Sequence, residues 1–488
     1  MRPADKTHTP EPSMDDLDLC YLSAHEAIDL FKSRKLSPVE LMEATIRRAE
    51  ALKGSVNALT YTHFDEAMDL ARKAEAKYAK GVRIGVLEGL PVGIKDESEI
   101  KGKPTSIGSL IHKDHIAERT STMNARVMAA GGIVHARTAT PEYCCAGTTW
   151  SRLWGVTRNP WNPDFTCGGS SGGAGASLAS GTSTLATGSD IGGSIRIPAS
   201  ACGVVGYKPP YGRNPDDTPF NLDFFCHTGP MARTVKDAIL LQNVMCGPSP
   251  DDIVSLRPKL HLPTEYKPIK GWKIAFSMDL GVFEVDPEVQ KNTLAALDVF
   301  RSLGATVEEV DLGWPPHILK AGMGYLEHIF GAYLSTLLDE HGDKMTTYAR
   351  QFAEFGRASK STDFVHSLEV VGEMYKTLGP ILARYDVLVC PTNALPAVRA
   401  DFDHSTETLE INGKVVNPSL GWVMTTPFNM MSRCPVLSVP TGHAENGVPT
   451  GLQIVGRTYR DADVFRAGLA FEEAVGGWYG NAASRPRL

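Results

Sequence analysis

The sequence has no apolar run approaching the ~18 to 20 residues that span a bilayer, so no membrane partner is expected. It has no basic excess either: 49 Lys+Arg stand against 56 Asp+Glu, a net charge of −7. Nucleic-acid affinity rests on basic patches that face phosphates, so no nucleic-acid partner is expected. There is no CxxC, no HExxH and no Cys/His cluster, which argues against a metal site. A GxxxxGK[ST] phosphate loop is also missing, and no cofactor is expected. The nine Cys are irregularly spaced. An odd number in a long chain fits free thiols and a cytoplasmic location better than a disulfide framework. Residues 1–19 are polar and lack the apolar core of a secretory signal. Residues 1–20 are read as a flexible tail.

What is present is an ordinary globular composition, 42% hydrophobic and 22% charged. A prior of about 150 residues per domain suggests about three domains, but large α/β enzymes run longer as one unit. Ser23 with Glu26, and Ser37-Pro38 with Glu40, are helix-start signals. Another helix is expected from Phe64 to Lys80, stopped by Gly81, so the first eighty residues read as helical cover. Short β-rich apolar runs then alternate with helical ones. Strands are expected at 90–94, 133–136, 273–277, 307–310, 386–390, 436–439 and 452–455. Helices are expected at 122–130 and 287–303. This pattern predicts one α/β domain over 21–488, a twisted mixed sheet with helices on both faces. Residues 312–383 read as a helical insertion, either core packing or a pocket wall. Residues 391–427 read as a long loop.

The informative stretch is 166–206, with 11 Gly and 8 Ser in 41 residues. A flexible linker has no use for Leu178, Leu185, Ile191, Ile195 and Val204 interleaved there. Dense glycine in a folded region means tight turns and backbone N–H groups free to meet a ligand. Asp190-Ile191-Gly192-Gly193-Ser194 sets such N–H groups beside a hydroxyl, the arrangement acyl transfer needs. Gly168-Gly169-Ser170-Ser171-Gly172 matches GxSxG, the nucleophile elbow, but no strand precedes it. His443 is a late triad partner for that alternative, an α/β-hydrolase-type esterase.

The segment resembles the amidase signature family of serine hydrolases. GGSSGG at 168–173 and SDIGGSIRIPASACGVVGYKP at 189–209 carry the likeness. LPVGIKD at 90–96, WGVTRNPW at 154–161, GPMART at 229–234 and GLQIVG at 451–456 extend it. The core signature then spans about 85–240 within the single domain. The resemblance implies a Ser–cis-Ser–Lys triad: Ser194 as nucleophile, Ser170 as the bridging cis-serine and Lys95 as base. It implies an oxyanion hole from the N–H groups of Ile191, Gly192, Gly193 and Ser194. Ser171 would help orient the triad, and Asp190 and Arg196 would brace the loop. Cys144, Cys145 and Ala146 would line the acyl site rather than act as nucleophiles.

Physical chemistry adds conditions. A serine hydroxyl needs a base, and lysine is one only when neutral. Burial is therefore expected to lower the Lys95 pKa from its reference of about 10.4. The activity implied is hydrolysis of aryl or alkyl amides, with carbamates (urethanes) and esters within range, by a monomer or homodimer acting on a small molecule. The alternatives are an amidase-type subunit of a tRNA-dependent amidotransferase and a non-catalytic binding protein. GYKPPYGRNP at 206–215 and DFFCH at 223–227 depart from the family pattern, which bears on the substrate rather than the triad.

Overall fold

Alternating and apolar runs become strands in the computed structural model, which describes residues 15–488. Eleven strands join one sheet. In chain order they are β1 Leu59–Thr62, β2 Pro91–Lys95, β3 Ile133–Thr138, β4 Leu185–Asp190, β5 Val205–Lys208 and β6 His227–Ala232. β7 Lys273–Phe276, β8 Thr306–Glu309, β9 Val387–Pro391, β10 Val436–His443 and β11 Pro449–Gly456 complete it. The spatial order is β1-β3-β2-β4-β6-β5-β10-β11-β9-β7-β8. β2 runs parallel to β3 and β4, and β7 runs parallel to β8 and β9. The remaining neighbours are antiparallel, so the sheet is mixed.

Successive side chains of a strand point to opposite faces, and here they enter different cores. Ile274, Phe276, Val387, Val389, Leu452 and Ile454 belong to one cluster. Ala275, Leu388, Cys390 and Val455, interleaved with them, belong to another. Phe31, Leu41, Val235 and Phe465 bring helices to the first face. Ile318, Tyr325, Met374 and Leu378 bring helices to the second. Helices thus cover both faces of one α/β domain. Each fully buried Leu, Ile or Phe contributes about 1.5 to 3 kcal/mol.

Local signals act where the chain places them. Ser23 and Ser37 form capping boxes at helices Ala24–Ser33 and Pro38–Leu52. Gly81 closes Phe64–Lys80 at φ 63. Three expectations need correction. Asp16–Tyr21 is a helix rather than tail, capped by Asp15, with Leu19 and Cys20 buried. Its Tyr21 hydroxyl donates to the Ala179 carbonyl at 2.9 Å, which ties it to the core. Residues 1–14 of the expected tail lie outside the described residues. The first eighty residues are not all helix, because β1 pairs antiparallel with β3. The loop 391–427 contains a hairpin, Leu409–Ile411 with Lys414–Val416. Asn412 and Gly413 turn it with φ 52 and 74, the Asn-Gly choice that a tight hairpin favours.

Candidate active site

The parallel pairing of β2 with β4 sets the C-terminal ends of these strands side by side. β2 ends in Lys95, and β4 ends in Ser189 and Asp190. The chain then turns through Ile191-Gly192-Gly193-Ser194 into the helix Arg196–Cys202. Ser170 arrives from the other side, just before the buried helix Gly172–Ala179, and the Gly169–Ser170 peptide is cis. That helix sits close because Gly173 has no side chain: a Cβ there would lie 2.1 Å from the Ala139 nitrogen.

Lys95 is 1% exposed. Its Nζ donates to Ser170 Oγ at 2.7 Å and to Ser189 Oγ at 2.8 Å, and lies 3.3 Å from Glu97 Oε2. Ser189 Oγ donates to the same carboxylate oxygen at 2.9 Å, as does Cys144 Sγ. The expected lowering of the Lys95 pKa is not found. Burial pulls it down, but Cys144 and Glu97 outweigh burial, and Lys95 is held above the ordinary lysine value. Burial and Glu97 push the Cys144 thiol up to about 12, so it is uncharged at neutral pH. With Cys144 as a thiol, Glu97 is the carboxylate beside the Lys95 ammonium, 3.3 Å from Nζ.

Ser171 is fully buried and joins three parts of the site. Its N–H donates to the Ser194 carbonyl at 3.1 Å, and its hydroxyl donates to the Ser189 carbonyl at 3.2 Å. Asp190 and Arg196 are both 0% exposed and pair through two bonds of 2.9 and 2.8 Å. Asn429 Nδ2 donates to Asp190 Oδ1 at 2.8 Å. Burial alone would raise the Asp190 carboxyl, but Arg196 and Asn429 hold it below the ordinary carboxylate range. The Ile195 N–H donates to Asp190 Oδ2 at 3.2 Å, and the Thr425 and Thr426 hydroxyls donate to the Gly192 carbonyl. Gly193 sits at φ +131, where a Cβ would lie 1.9 Å from Thr425 Oγ1. Among the described residues, the N–H groups of Ile191, Gly192, Gly193 and Ser194 donate to no protein acceptor. Also among these residues, no side-chain hydrogen bond joins Ser170 to Ser194.

Two cavities meet at Ser194. One, of about 290 Å³, is lined by Ser170, Ser189, Ser194, Glu97, Asp216, Phe220, Cys226 and Tyr333. The other, of about 390 Å³, is lined by Cys145, Ala146, Met323, Leu326, Phe352, Phe355 and Leu420. Cys144, Ile191 and Phe330 border both. The helical insertion is thus pocket wall at Met323, Phe330, Tyr333, Phe352 and Phe355, and core at Tyr325 and Met374. The Tyr143-Cys144 turn has left-handed φ values of 51 and 58, a backbone that side chains rarely adopt. The buried Glu142 carboxylate anchors it, accepting from Ser109 and from the Thr346 N–H of the insertion. Burial also pushes the Cys145 thiol far up, so neither cysteine has thiolate character.

Glu97 and Ser189 were not among the residues expected from the sequence. Ser189 lies inside the quoted SDIGGS run, and Glu97 stands two residues after Lys95, in the turn that follows the strand, where no sequence pattern marks it. The elbow alternative lacks its frame: 162–167 contain no strand, and exposed His443 packs its ring against Trp161. Among the described residues, no three His, Cys, Asp or Glu side chains gather as a metal-binding group. No described helix is long and apolar enough to cross a membrane.

Comparison with known proteins gives a concordant result. A family model described as Amidase matches residues 40–465. An acylamidase of Rhodococcus erythropolis is 34% identical over 95% of this chain and 98% of its own. One subunit of the glutamyl-tRNA(Gln) amidotransferase of Clostridium botulinum is 30% identical over 94% of this chain and 98% of its own. The crystal structure of a bacterial aryl acylamidase of the amidase signature enzymes superposes with a TM-score of 0.87 at 33% identity, covering 93% of this chain and 96% of that one.

Proposed function

The chain belongs to the amidase signature family and hydrolyses carbon–nitrogen amide bonds, and we propose that it does so through an acyl-enzyme on Ser194, with Ser170 and Lys95 as its proton relay. Ser194 attacks the carbonyl carbon while its proton passes through Ser170 to neutral Lys95. The N–H groups of Ile191, Gly192, Gly193 and Ser194 hold the oxyanion. The carbon–nitrogen bond then breaks, and the departing amine takes the proton back through Ser170. Water attacks the acyl-enzyme by the same relay and releases the acid. The observation that carries this reading is the 2.7 Å bond from buried Lys95 to Ser170 in the cavity that Ser194 lines.

The substrate we assign is a small aryl or alkyl amide, with carbamates and esters in range. Support comes from the Phe and Met wall of the larger cavity and from the acylamidase and aryl acylamidase relatives. The likeness to the amidotransferase chain favours a second reading, delivery of ammonia within a complex. The apolar cavity wall speaks for the first. The free cysteines fit the cytoplasmic setting assumed here.

Fluorophosphonate labelling with peptide mapping tests the reading. One adduct on Ser194 is expected, lost in Ser194→Ala and strongly slowed in Lys95→Ala. An adduct on Ser170 would overturn it. The isolated chain should also release the aryl amine from an anilide. Activity on glutamine alone would favour the amidotransferase reading.

A further inference from the structure

Lys95 Nζ has three oxygen neighbours: it donates to Ser170 Oγ at 2.7 Å and to Ser189 Oγ at 2.8 Å, and it pairs with the Glu97 carboxylate, whose Oε2 lies 3.3 Å away. An ammonium has three N–H donors and no lone pair, so this cradle fits the charged form. A base needs the neutral amine, which keeps two N–H donors and one lone pair. Ser189 and Glu97 can hold those two donors and leave the lone pair facing Ser170. Glu97 is the anion of the three, and its Oε2 is fixed by the Ser189 hydroxyl and the Cys144 thiol, both at 2.9 Å.

The geometry points to Glu97 as a positioning residue that aims Lys95 at Ser170 and sets how alkaline the solution must be before Lys95 gives up its proton. This deepens the Ser194–Ser170–Lys95 reading and rests on it. As pH rises, the ammonium releases a proton to solvent. The Ser170 hydroxyl then donates to Nζ and becomes free to accept the Ser194 proton.

Other ionisable groups face this pair. Arg137 of β3 is a buried cation that donates to the Lys95 carbonyl at 2.9 Å. Asp96 is buried and accepts from the Ser106 N–H at 3.0 Å and from its hydroxyl. Cys144 and Cys226 are thiols raised by burial and uncharged at neutral pH. Burial pushes the Asp216 carboxyl up to about 8, so it also titrates within the pH range of the test.

The sign follows from charge. A carboxylate within ~4 to 6 Å favours the ammonium and moves the base limb of activity to higher pH. Its removal should move that limb down. The experiment follows the fluorophosphonate labelling rate at Ser194 from about pH 5 to about pH 11, where the limb reports the free enzyme's base. Wild type is compared with Glu97→Gln, Glu97→Ala and Asp216→Asn, with circular dichroism to check folding. The limb should fall by about 1 pH unit in the Glu97 variants, with labelling about tenfold faster on its acidic side. A merely structural role would slow labelling without moving the limb. An unmoved limb, a limb that moves only with Asp216→Asn, or no labelling at any pH in a folded Glu97 variant would each overturn the proposal. A wild type that carries no adduct on Ser194 would instead overturn the reading beneath it.

Discussion

A buried arginine is costly unless its donors are used, and Arg196 uses all of them. It bonds both Asp190 oxygens, the Asn429 and Gln453 side-chain oxygens, and the Thr425 carbonyl. These partners come from β4, β11 and the 425–429 segment, so one side chain ties the loop before Ser194 to distant chain. Arg196→Gln would leave the Asp190 charge buried without its cation. We expect a loss of about 3 to 5 kcal/mol in urea denaturation, since breaking a buried pair strands the remaining charge. The pH dependence has a definite sign. The folded Asp190 carboxyl is depressed, so the pair's contribution is present above the ordinary carboxylate range and is lost only as pH falls below it. Wild type should therefore keep this part of its stability at a pH where an ordinary carboxylate is half protonated, and Arg196→Gln should not. Residue chemistry was unevenly legible in the sequence. Opposite charges six residues apart at Asp190 and Arg196 suggest a pair. The charge state of Lys95 was not legible, because burial argues one way and Glu97, hidden in a turn after the strand, argues the other.

At the scale of elements, the long helices and apolar strands were readable because periodicity and caps agree: 122–130, 287–303 and 436–439 each fall on an observed element. The glycine-rich core was not. β4, β5 and β6 read LATGSD, VGYK and HTGPMA, and such small-residue sequences carry little β propensity. Neighbours impose those strands: β4 is held between β2 and β6. Small residues are needed there because backbone passes close to backbone. Gly193 is the sharpest case, with φ +131 and the Thr425 hydroxyl where a Cβ would go. Gly193→Ala should displace the loop and at least one of its uncommitted N–H groups. Losing one oxyanion donor costs about 100- to 1,000-fold in kcat. A steady-state assay on an anilide should show that fall while thermal unfolding shows a folded protein. A rate within about threefold of wild type would mean that this N–H does not meet the oxyanion.

At the scale of the whole molecule, the site is assembled from segments far apart in sequence. Lys95, Ser170 and Ser194 come from three neighbouring segments of the sheet region, but the walls around them come from 323–355 and 417–423. No local pattern announces that meeting, because the aromatic spacing of the insertion serves core and wall equally. Tyr325 stacks on Phe225 in the core at 3.7 Å between ring centroids, whereas Phe330, five residues on, borders both cavities. On the proposed mechanism, this arrangement separates catalysis from selection. The 191–194 loop is braced by the buried Asp190–Arg196 pair, while the larger cavity is shaped by side chains of a helical insertion. Phe352 belongs to that wall and packs on Phe330 at 5.6 Å. Phe352→Ala removes apolar surface from the cavity without touching Lys95, Ser170 or Ser194. If the acyl group of the substrate fills this cavity, the loss should fall on bulky acyl groups and spare an acetyl group. A pocket contact of this size is worth about 1 to 3 kcal/mol, so kcat/KM for a benzoyl anilide should fall about 10- to 200-fold relative to the acetyl anilide. Labelling of Ser194 by a small fluorophosphonate should stay near the wild-type rate. Equal losses for both anilides would place the acyl group in the smaller cavity and leave the aromatic wall to the departing amine.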